Sequence, residues 1–327
     1  MSTKLRLLKQ WSLAVGLLLI LSGLAACGQA ATGAPGQASK AVLRVGYQKG
    51  GSLPILKGKG TLEKRLNEQG VTVEWIEFAA GPPLLEALNT GSVDLGSTGQ
   101  TPPIFAQAAG TPLVYIAAIA ATPGGQALIV PRDSPISSVA DLKGKKVAFA
   151  KGSSANLFII NVLQEAGLEY TDIEPVFLTP PDARAAFDGG SVDAWVIWDP
   201  YLTIARKATD ARVLHDGATL TPTHSYYLAA RTFAEQHPDI LGVALEEIQT
   251  VEKWSAEHPK EVAETLAPVI GVDVAILEEV ARRQSFGIEP ISDALVAEQQ
   301  SIADTFFNLG LIPKQITISD AVWRWEE

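Results

Sequence analysis

Polar residues that can donate hydrogen bonds cluster between Lys151 and Asn156, in the sequence Lys-Gly-Ser-Ser-Ala-Asn. The apolar run before them predicts a strand, Gly152 a turn, and Ser153 or Ser154 the N-cap of a helix. The first turn of a helix leaves backbone N–H groups unpaired and carries a partial positive charge. With two hydroxyls and an amide added, this helix start could hold an oxyanion. The serine could equally do no more than cap the helix.

The residues that usually carry catalysis are sparse. The chain has four histidines and one cysteine, and none of the histidines stands at the spacing of a zinc site. The sequence contains no Gly-x-Ser-x-Gly elbow and no glycine-rich nucleotide loop. These absences favour a binding protein over an enzyme, and they predict neither a cofactor nor a metal.

Further polar and glycine residues follow the ends of other predicted strands. We expect them to meet the helix start in one cleft, because ligands of such sheets bind beyond the carboxyl ends of the strands. Alternation along residues 195–198 directs Trp195 into a core and leaves Trp198 as an apolar wall for a ligand. The candidate residues at these ends are Gln48, Gly50, Gly81, Thr98, Gly99, Gln100, Trp198 and Asp199.

The elements that position these residues alternate between strand and helix from residue 41 onward. This order predicts an α/β fold with doubly wound, mostly parallel sheets. Residues 53–70 predict one helix, and residues 224–231 a strand. The Ser-Val-Asp phrase at 92–94 returns at 191–193, each time after a helix that ends at glycine. The repeat indicates either two similar lobes or shared turn chemistry.

Two lobes are the organisation we expect. Residues 41–124 and 233–327 would form lobe 1, and residues 125–232 lobe 2. The chain would cross near residues 122–126 and 230–234, and two crossovers make a hinge. Apolar stripes predict helices at 239–257, 260–269, 273–284 and 292–309, which would pack over lobe 1.

The first 26 residues have the pattern of a bacterial lipoprotein signal peptide. Lys4, Arg6 and Lys9 precede an apolar run of sixteen residues that ends in Leu-Ala-Ala-Cys. Cleavage would leave Cys27 to carry the lipid, and residues 27–40 would be a flexible linker. The net charge of −10 argues against a nucleic-acid partner.

Long segments of the chain resemble the aliphatic sulfonate-binding proteins of ABC importers, a group of type II periplasmic binding proteins that includes nitrate and taurine receptors. The segments that carry the resemblance are LRVGYQKGGSL, EALNTGSVDLGSTGQTPPIFAQAAG, DLKGKKVAFAKGSSANL, LTPPDARAAFDGGSVDAWVIWDPY and YYLAAR. The resemblance implies a two-lobed receptor that closes over an alkanesulfonate, which serves as a sulfur source. It also implies delivery to a membrane permease. Together with the lipoprotein-like signal, it predicts a lipid-anchored receptor on the outer face of the membrane in the cell envelope, which we expect to be a monomer.

The chemistry of a sulfonate agrees with the candidate residues. A sulfonate is a monoanion at all ordinary pH values, so its site needs donors and no proton acceptor. Trp198 and Tyr226 would cover the alkyl part. Gln100 stands where the resemblance leads us to expect an acidic residue, which makes the predicted pocket less negative and affects the choice of cargo.

Other ligands and one enzyme class remain open at this stage. Receptors of the same fold could bind taurine, nitrate or a thiamine-precursor pyrimidine. A pyrimidine-synthesising enzyme on this scaffold would need a histidine at the cleft, and His224 is the nearest candidate in the sequence.

Overall fold

The computed structural model describes residues 41–220 and 224–324. The predicted signal peptide at 1–26 and the predicted lipidated cysteine and linker at 27–40 lie outside the described residues. Within the described ranges, none of the helices combines the length and the apolar character needed to cross a membrane.

The described chain begins with four strands and the helices between them. A helix was expected across residues 53–70, but Gly60 takes the left-handed conformation (φ 64°) and divides it into two short helices. The elements are β1 (Val42–Tyr47), α1 (Leu53–Lys59), α2 (Thr61–Asn67), β2 (Thr72–Glu77), α3 (Gly81–Asn89), β3 (Leu95–Thr98), α4 (Thr101–Ala109) and β4 (Leu113–Ile119).

The middle of the chain forms five strands and three helices. In order, these are β5 (Gln126–Val130), β6 (Lys146–Phe149), α5 (Ser154–Glu165), β7 (Glu174–Phe177), α6 (Pro180–Asp188), β8 (Ala194–Trp198), α7 (Tyr201–Thr209) and β9 (Arg212–Asp216).

The last third is mostly helical and follows the predicted boundaries closely. Its elements are β10 (Ser225–Ala230), α8 (Arg231–Gln236), α9 (Pro238–Glu257), α10 (Pro259–Ile270), α11 (Val274–Arg283), β11 (Ile288–Glu289) and α12 (Asp293–Asn308).

The strands form two mixed sheets, which confirms the predicted α/β fold. One sheet has the order β11-β4-β10-β3-β1-β2, and the other β7-β6-β8-β5-β9. In the first, β10 and β11 are antiparallel to their neighbours; in the second, β5 is antiparallel to β8 and β9. We call the six-stranded sheet with its helices lobe 1 and the five-stranded sheet with its helices lobe 2.

One expectation about the lobes is wrong. Residues 225–230 were assigned to lobe 2, but β10 pairs with β3 and β4 in lobe 1. The second crossover therefore lies between Asp216 and Ser225, before the position expected at 230–234. Strand pairing depends on packing between segments that are far apart in the chain. The local apolar pattern of β10 predicts a strand but not the strands with which it pairs.

The core of lobe 2 shows how β8 brings its end to the cleft. Both faces of this strand are buried, as expected for a strand with helices on either side. Ala194 and Val196 pack with α5, while Trp195 and Ile197 pack with α6 and α7. Trp195 is 1% exposed. This leaves Trp198, the last residue of β8, at the edge of the sheet.

Helix α5 belongs to both cores. Its buried residues Ile159, Val162 and Leu163 pack in lobe 2, whereas Leu157 and Ile160 lie in the apolar core of lobe 1. A helix with apolar residues on both faces must be covered on both sides. Helix α5 therefore holds the two lobes against each other.

Candidate functional site

A cavity of about 210 Å³ lies between the two lobes. It opens where strands end: Gln48 follows β1, Gly99 follows β3, and Trp198 ends β8. This is the position at which α/β sheets bind ligands.

Ten of the residues singled out in the sequence line this cavity. They come from both lobes and from five different turns or strand ends, which the fold brings together as expected. The ten are Gln48, Gly50, Gly81, Thr98, Gly99, Gln100, Ser153, Ser154, Trp198 and Asp199.

The start of helix α5 contributes donors in a way that differs from a capped helix. Ser153 occupies the N-cap position, but its hydroxyl donates to the carbonyl of Ala150 at 2.7 Å and accepts no bond from the helix. The N–H groups of Ser154 and Ala155, in the first turn, have no intrahelical partner. The capping role weighed for Ser153 is therefore not what its side chain does, and the helix start stays open to a ligand.

Helices α3 and α4 also begin at the cavity but offer fewer donors. Gly81 is the first residue of α3, and Gln100 is the N-cap of α4; both line the cavity. Each helix has two prolines in its first turn, and proline has no N–H. Lobe 1 thus presents the positive ends of two helix dipoles with few hydrogen-bond donors.

Some side-chain donors of lobe 1 already form hydrogen bonds within the protein. Gln48 donates one Nε2 hydrogen to the Ser97 carbonyl at 3.1 Å, which leaves the second for a ligand. The Thr98 hydroxyl donates to the Gly99 carbonyl at 2.9 Å. Gln100 is 4% exposed, and its backbone carbonyl accepts from Gln299.

Asn156 and Gly152 do not line the cavity. Asn156 is 2% exposed, and its Oδ1 accepts from the Gly152 N–H at 3.1 Å. Its Nδ2 lies 3.4 Å from the hydroxyl of Tyr170. Gly152 has a φ of 68° and lies against the ring of Phe105. Asn156 therefore stabilises the turn that precedes Ser153 and Ser154.

Tyr226 also lies away from the cavity lining. It is 1% exposed in the six-stranded sheet and packs edge to face on Tyr115, with ring centroids 5.0 Å apart. Burial raises the pKa of its hydroxyl. Its place between β3 and β4 puts it inside the core of lobe 1, so Trp198 is the aromatic wall.

Residues that the sequence analysis missed come from the crossover and from the end of α11. Arg283 is the last residue of α11, and Gln284 and Ser285 follow it into the cavity lining. Thr122 and Gln126 enter from the first crossover. Two consecutive arginines at a helix end were the only local signal, and that pattern equally suits a favourable dipole interaction.

Arg283 forms the main polar contact between the lobes at the cavity. Its Nε and Nη2 donate to Oδ2 of Asp199 at 3.0 and 2.6 Å, and Nη2 also donates to the Thr203 hydroxyl at 2.8 Å. Oδ1 of Asp199 accepts from the N–H and the hydroxyl of Thr203 at 3.2 and 2.7 Å. Among the described residues that line the cavity, only Asp199 and Arg283 are charged.

His224, the histidine considered for catalysis, does not line the cavity. Its Nδ1 lies 3.0 Å from Glu298 and its Nε2 3.3 Å from Glu289. In the described part of the chain, no group of three or more His, Cys, Asp or Glu side chains is placed to hold a metal ion.

Known proteins resemble this chain in sequence and in fold. Residues 66–262 match the family described as NMT1/THI5 like. The chain is 42% identical over 308 residues to the "Putative aliphatic sulfonates-binding protein" of Escherichia coli (strain K12), an alignment that covers 94% of this chain and 95% of that protein.

Two solved structures are similar to the chain in both sequence and fold. The periplasmic aliphatic sulphonate binding protein SsuA from Escherichia coli is 44% identical, with a TM-score of 0.77 over 87% of this chain and 98% of that one. The alkanesulfonate-binding protein SsuA from Xanthomonas axonopodis pv. citri, solved bound to MOPS, is 39% identical, with a TM-score of 0.82 over 87% and 99%. The chain belongs to the NMT1/THI5-like family and, on these identities, to its aliphatic sulfonate-binding proteins.

Proposed function

We propose that this protein captures alkanesulfonates in the interlobe cavity and delivers them to the permease of an ABC importer, which supplies the cell with sulfur. One observation carries the proposal above all: the cavity between the lobes is rich in hydrogen-bond donors, and its lining has no net charge. The names of the relatives, and the MOPS bound to one of them, support the same ligand class, because MOPS carries a sulfonate group.

The donors suit a sulfonate because that group never needs to give or take a proton. The N–H and the hydroxyl of Ser154 at the start of α5 and the second hydrogen of Gln48 are available to a ligand that accepts hydrogen bonds. A hydrogen bond to a charged partner contributes about 1.5–3 kcal/mol. Three or four such bonds total about 4.5–12 kcal/mol, a range that includes the roughly 8.2 kcal/mol of a 1 μM dissociation constant.

Trp198 and the size of the cavity separate a sulfonate from smaller anions. The cavity has about 210 Å³ of space for the centres of water molecules, and a single water needs about 10–15 Å³ on the same measure. Nitrate would leave most of this space empty and would not need an apolar wall. An alkyl chain would fill the space and cover Trp198.

We infer no enzymatic activity. A pyrimidine-synthesising enzyme would need a group for acid–base chemistry in the cleft. The described cavity lining has no histidine and no cysteine, and both charged residues in it are held by each other. His224 is engaged with two glutamates elsewhere.

The same proposal includes a site of action outside the cytoplasm and a lipid anchor on Cys27. The sequence pattern at residues 1–27 supports both, and a monomer is sufficient because the cavity is built from one chain. Fractionation of cells that express Cys27→Ser tests the anchor: the variant should leave the membrane fraction, and retention there would contradict it.

Calorimetry tests the ligand class. The full chain, purified in detergent, is titrated with ethanesulfonate, longer alkanesulfonates, taurine, sulfate and nitrate. We expect binding of alkanesulfonates at about micromolar strength or better, and no measurable heat with nitrate. Absence of heat with every sulfonate, together with clear binding of another anion, would overturn the proposal.

A further inference from the structure

The charges of the cavity lining are one carboxylate, Asp199, and one guanidinium, Arg283, in contact across the cleft. We propose that Arg283 is a specificity-determining residue: by cancelling Asp199 it makes the cavity neutral, so that the site selects sulfonates with an uncharged tail and disfavours those with a cationic one. This inference rests on the proposed function and names the substrate class within it.

The carboxylate of Asp199 has no capacity left for a ligand. An ionised carboxylate offers about four lone-pair sites. Oδ2 accepts two hydrogen bonds from Arg283, and Oδ1 accepts two from Thr203. The side chain is 10% exposed. An ammonium group in the cavity would find the acidic residue already occupied.

The position of Arg283 is set by contacts from both lobes. The guanidinium reaches Thr203 as well as Asp199 in lobe 2, while α11 carries it in lobe 1. Its Nη1 lies 3.9 Å from Glu279 on the same helix. A planar guanidinium that binds a carboxylate through two nitrogens holds one geometry, which lysine does not reproduce.

The pair matters for a ligand in the cavity because both charges belong to the lining. Charges closer together than a Debye length, about 8 Å at physiological salt, are only partly screened. A ligand beside the lining therefore interacts with both charges. Removing one charge therefore changes the balance between a plain alkanesulfonate and taurine, which has the same two-carbon length as ethanesulfonate and adds an ammonium.

The test measures the ratio of the dissociation constants of taurine and ethanesulfonate, by calorimetry on the full chain in detergent. We expect the wild-type protein to bind ethanesulfonate at least about tenfold more tightly than taurine. Arg283→Gln exposes the carboxylate, so ethanesulfonate binding should weaken and the ratio should fall at least about tenfold. Asp199→Asn frees the guanidinium, so the ratio should rise.

The double variant Asp199→Asn with Arg283→Gln removes both charges and should return the ratio to within about threefold of the wild-type value. It also serves if Arg283→Gln alone does not fold, since it leaves no unpaired buried charge. Ratios that stay constant in the variants, or that move in the same direction in both single variants, would overturn the inference. Equal binding of the two ligands by the wild type would overturn it while leaving the sulfonate function intact. No binding of any sulfonate would overturn the proposed function itself.

Discussion

Two kinds of contact join the lobes beside the cavity. The first, which we call the glycine contact, brings a glycine of lobe 1 against a small group of lobe 2: Gly99 lies against the side chain of Ser154, and Gly50 against the backbone carbonyl of Asp199. The second, the ionic contact, consists of the pairs Asp199–Arg283 and Lys207–Glu279 between lobe 2 and helix α11. One contact has almost no side chains, and the other is made of long charged ones.

The difference separates shape from charge. At the glycine contact, a Cβ on Gly99 would lie 3.0 Å from the Cβ and Oγ of Ser154, closer than side chains normally approach. This contact depends on space alone and should be insensitive to salt and pH. The ionic contact depends on the charge of each partner. Its contribution to stability is smaller where the paired side chains are more exposed to solvent. A substitution at the glycine contact should therefore affect closure of the lobes. A substitution at the ionic contact should affect ligand specificity or have no effect on binding.

The largest effect is expected from filling the space at Gly99. Gly99→Val places three carbons where Ser154 lies, so that the lobes cannot approach as they do here. We expect the affinity for ethanesulfonate to fall at least about a hundredfold, because the ligand loses the donors of one lobe. The melting temperature should fall as well, because α5 packs in both cores and its Leu157 and Ile160 would be drawn away from the core of lobe 1.

Gly242→Val is the matched control. Gly242 lies in helix α9, and nothing lies within 4 Å of a Cβ built there. This variant should bind ethanesulfonate as the wild type does. Calorimetry measures the affinity, and small-angle scattering measures whether ligand still compacts the protein. Wild-type affinity in Gly99→Val would show that the glycine contact does not govern binding.

Local patterns predicted the elements but not the partners across the cleft. The boundaries of the long C-terminal helices were predicted to within one or two residues; α9, for example, spans Pro238–Glu257 against the predicted 239–257. The prediction succeeds because an apolar stripe depends only on residues three or four positions apart. The strand end at Trp198 was found for the same reason, since alternation is local.

What the sequence did not show depends on segments far apart in the chain. Arg283 meets Asp199 across 84 positions, and β10 joins β3 and β4 from more than a hundred positions away. Asn156 was predicted to donate a hydrogen bond to the ligand, because it has an amide and lies at a helix start. The structure shows instead that its side chain is buried and that its Oδ1 accepts from the Gly152 N–H. Side-chain direction within a helix start cannot be deduced from residue type.

A second, smaller effect is expected from Asn156, which supports the glycine contact through the turn at Gly152. Asn156→Leu removes the acceptor of the Gly152 N–H, and an unsatisfied buried group costs about 1–3 kcal/mol. We expect a loss of ethanesulfonate affinity of about tenfold and a lower melting temperature. If Asn156 bound the ligand directly, affinity would fall without a change in melting temperature.

The control for this substitution is Asn89→Leu, at the exposed end of α3, which should alter neither quantity. Calorimetry and thermal unfolding, measured on the same preparations, separate the two roles. Unchanged affinity in Asn156→Leu would mean that the turn does not position Ser153 and Ser154 for a ligand.

The smallest effect is expected at the outer pair of the ionic contact. Lys207 and Glu279 are 49% and 42% exposed, although their charged atoms lie 2.9 Å apart. The hydrogen bond from Lys207 holds the pKa of Glu279 below its ordinary value. A carboxyl with a lowered pKa in the folded state stabilises above its unfolded pKa, and this contribution is lost as the pH falls through the folded value. Solvent screening limits it to about 0–1 kcal/mol.

Glu279→Gln should therefore lower the melting temperature slightly at neutral pH, and the difference from the wild type should disappear as the pH falls through the lowered pKa of Glu279 in the folded state. Ethanesulfonate affinity should change less than about twofold. Glu278→Gln is the matched control, because Glu278 pairs with Arg282 within the same helix and bridges no lobes. A tenfold loss of affinity in Glu279→Gln alone would show that closure depends on this exposed pair. In that case charge as well as shape would govern the approach of the lobes, and the distinction between the two contacts would fail.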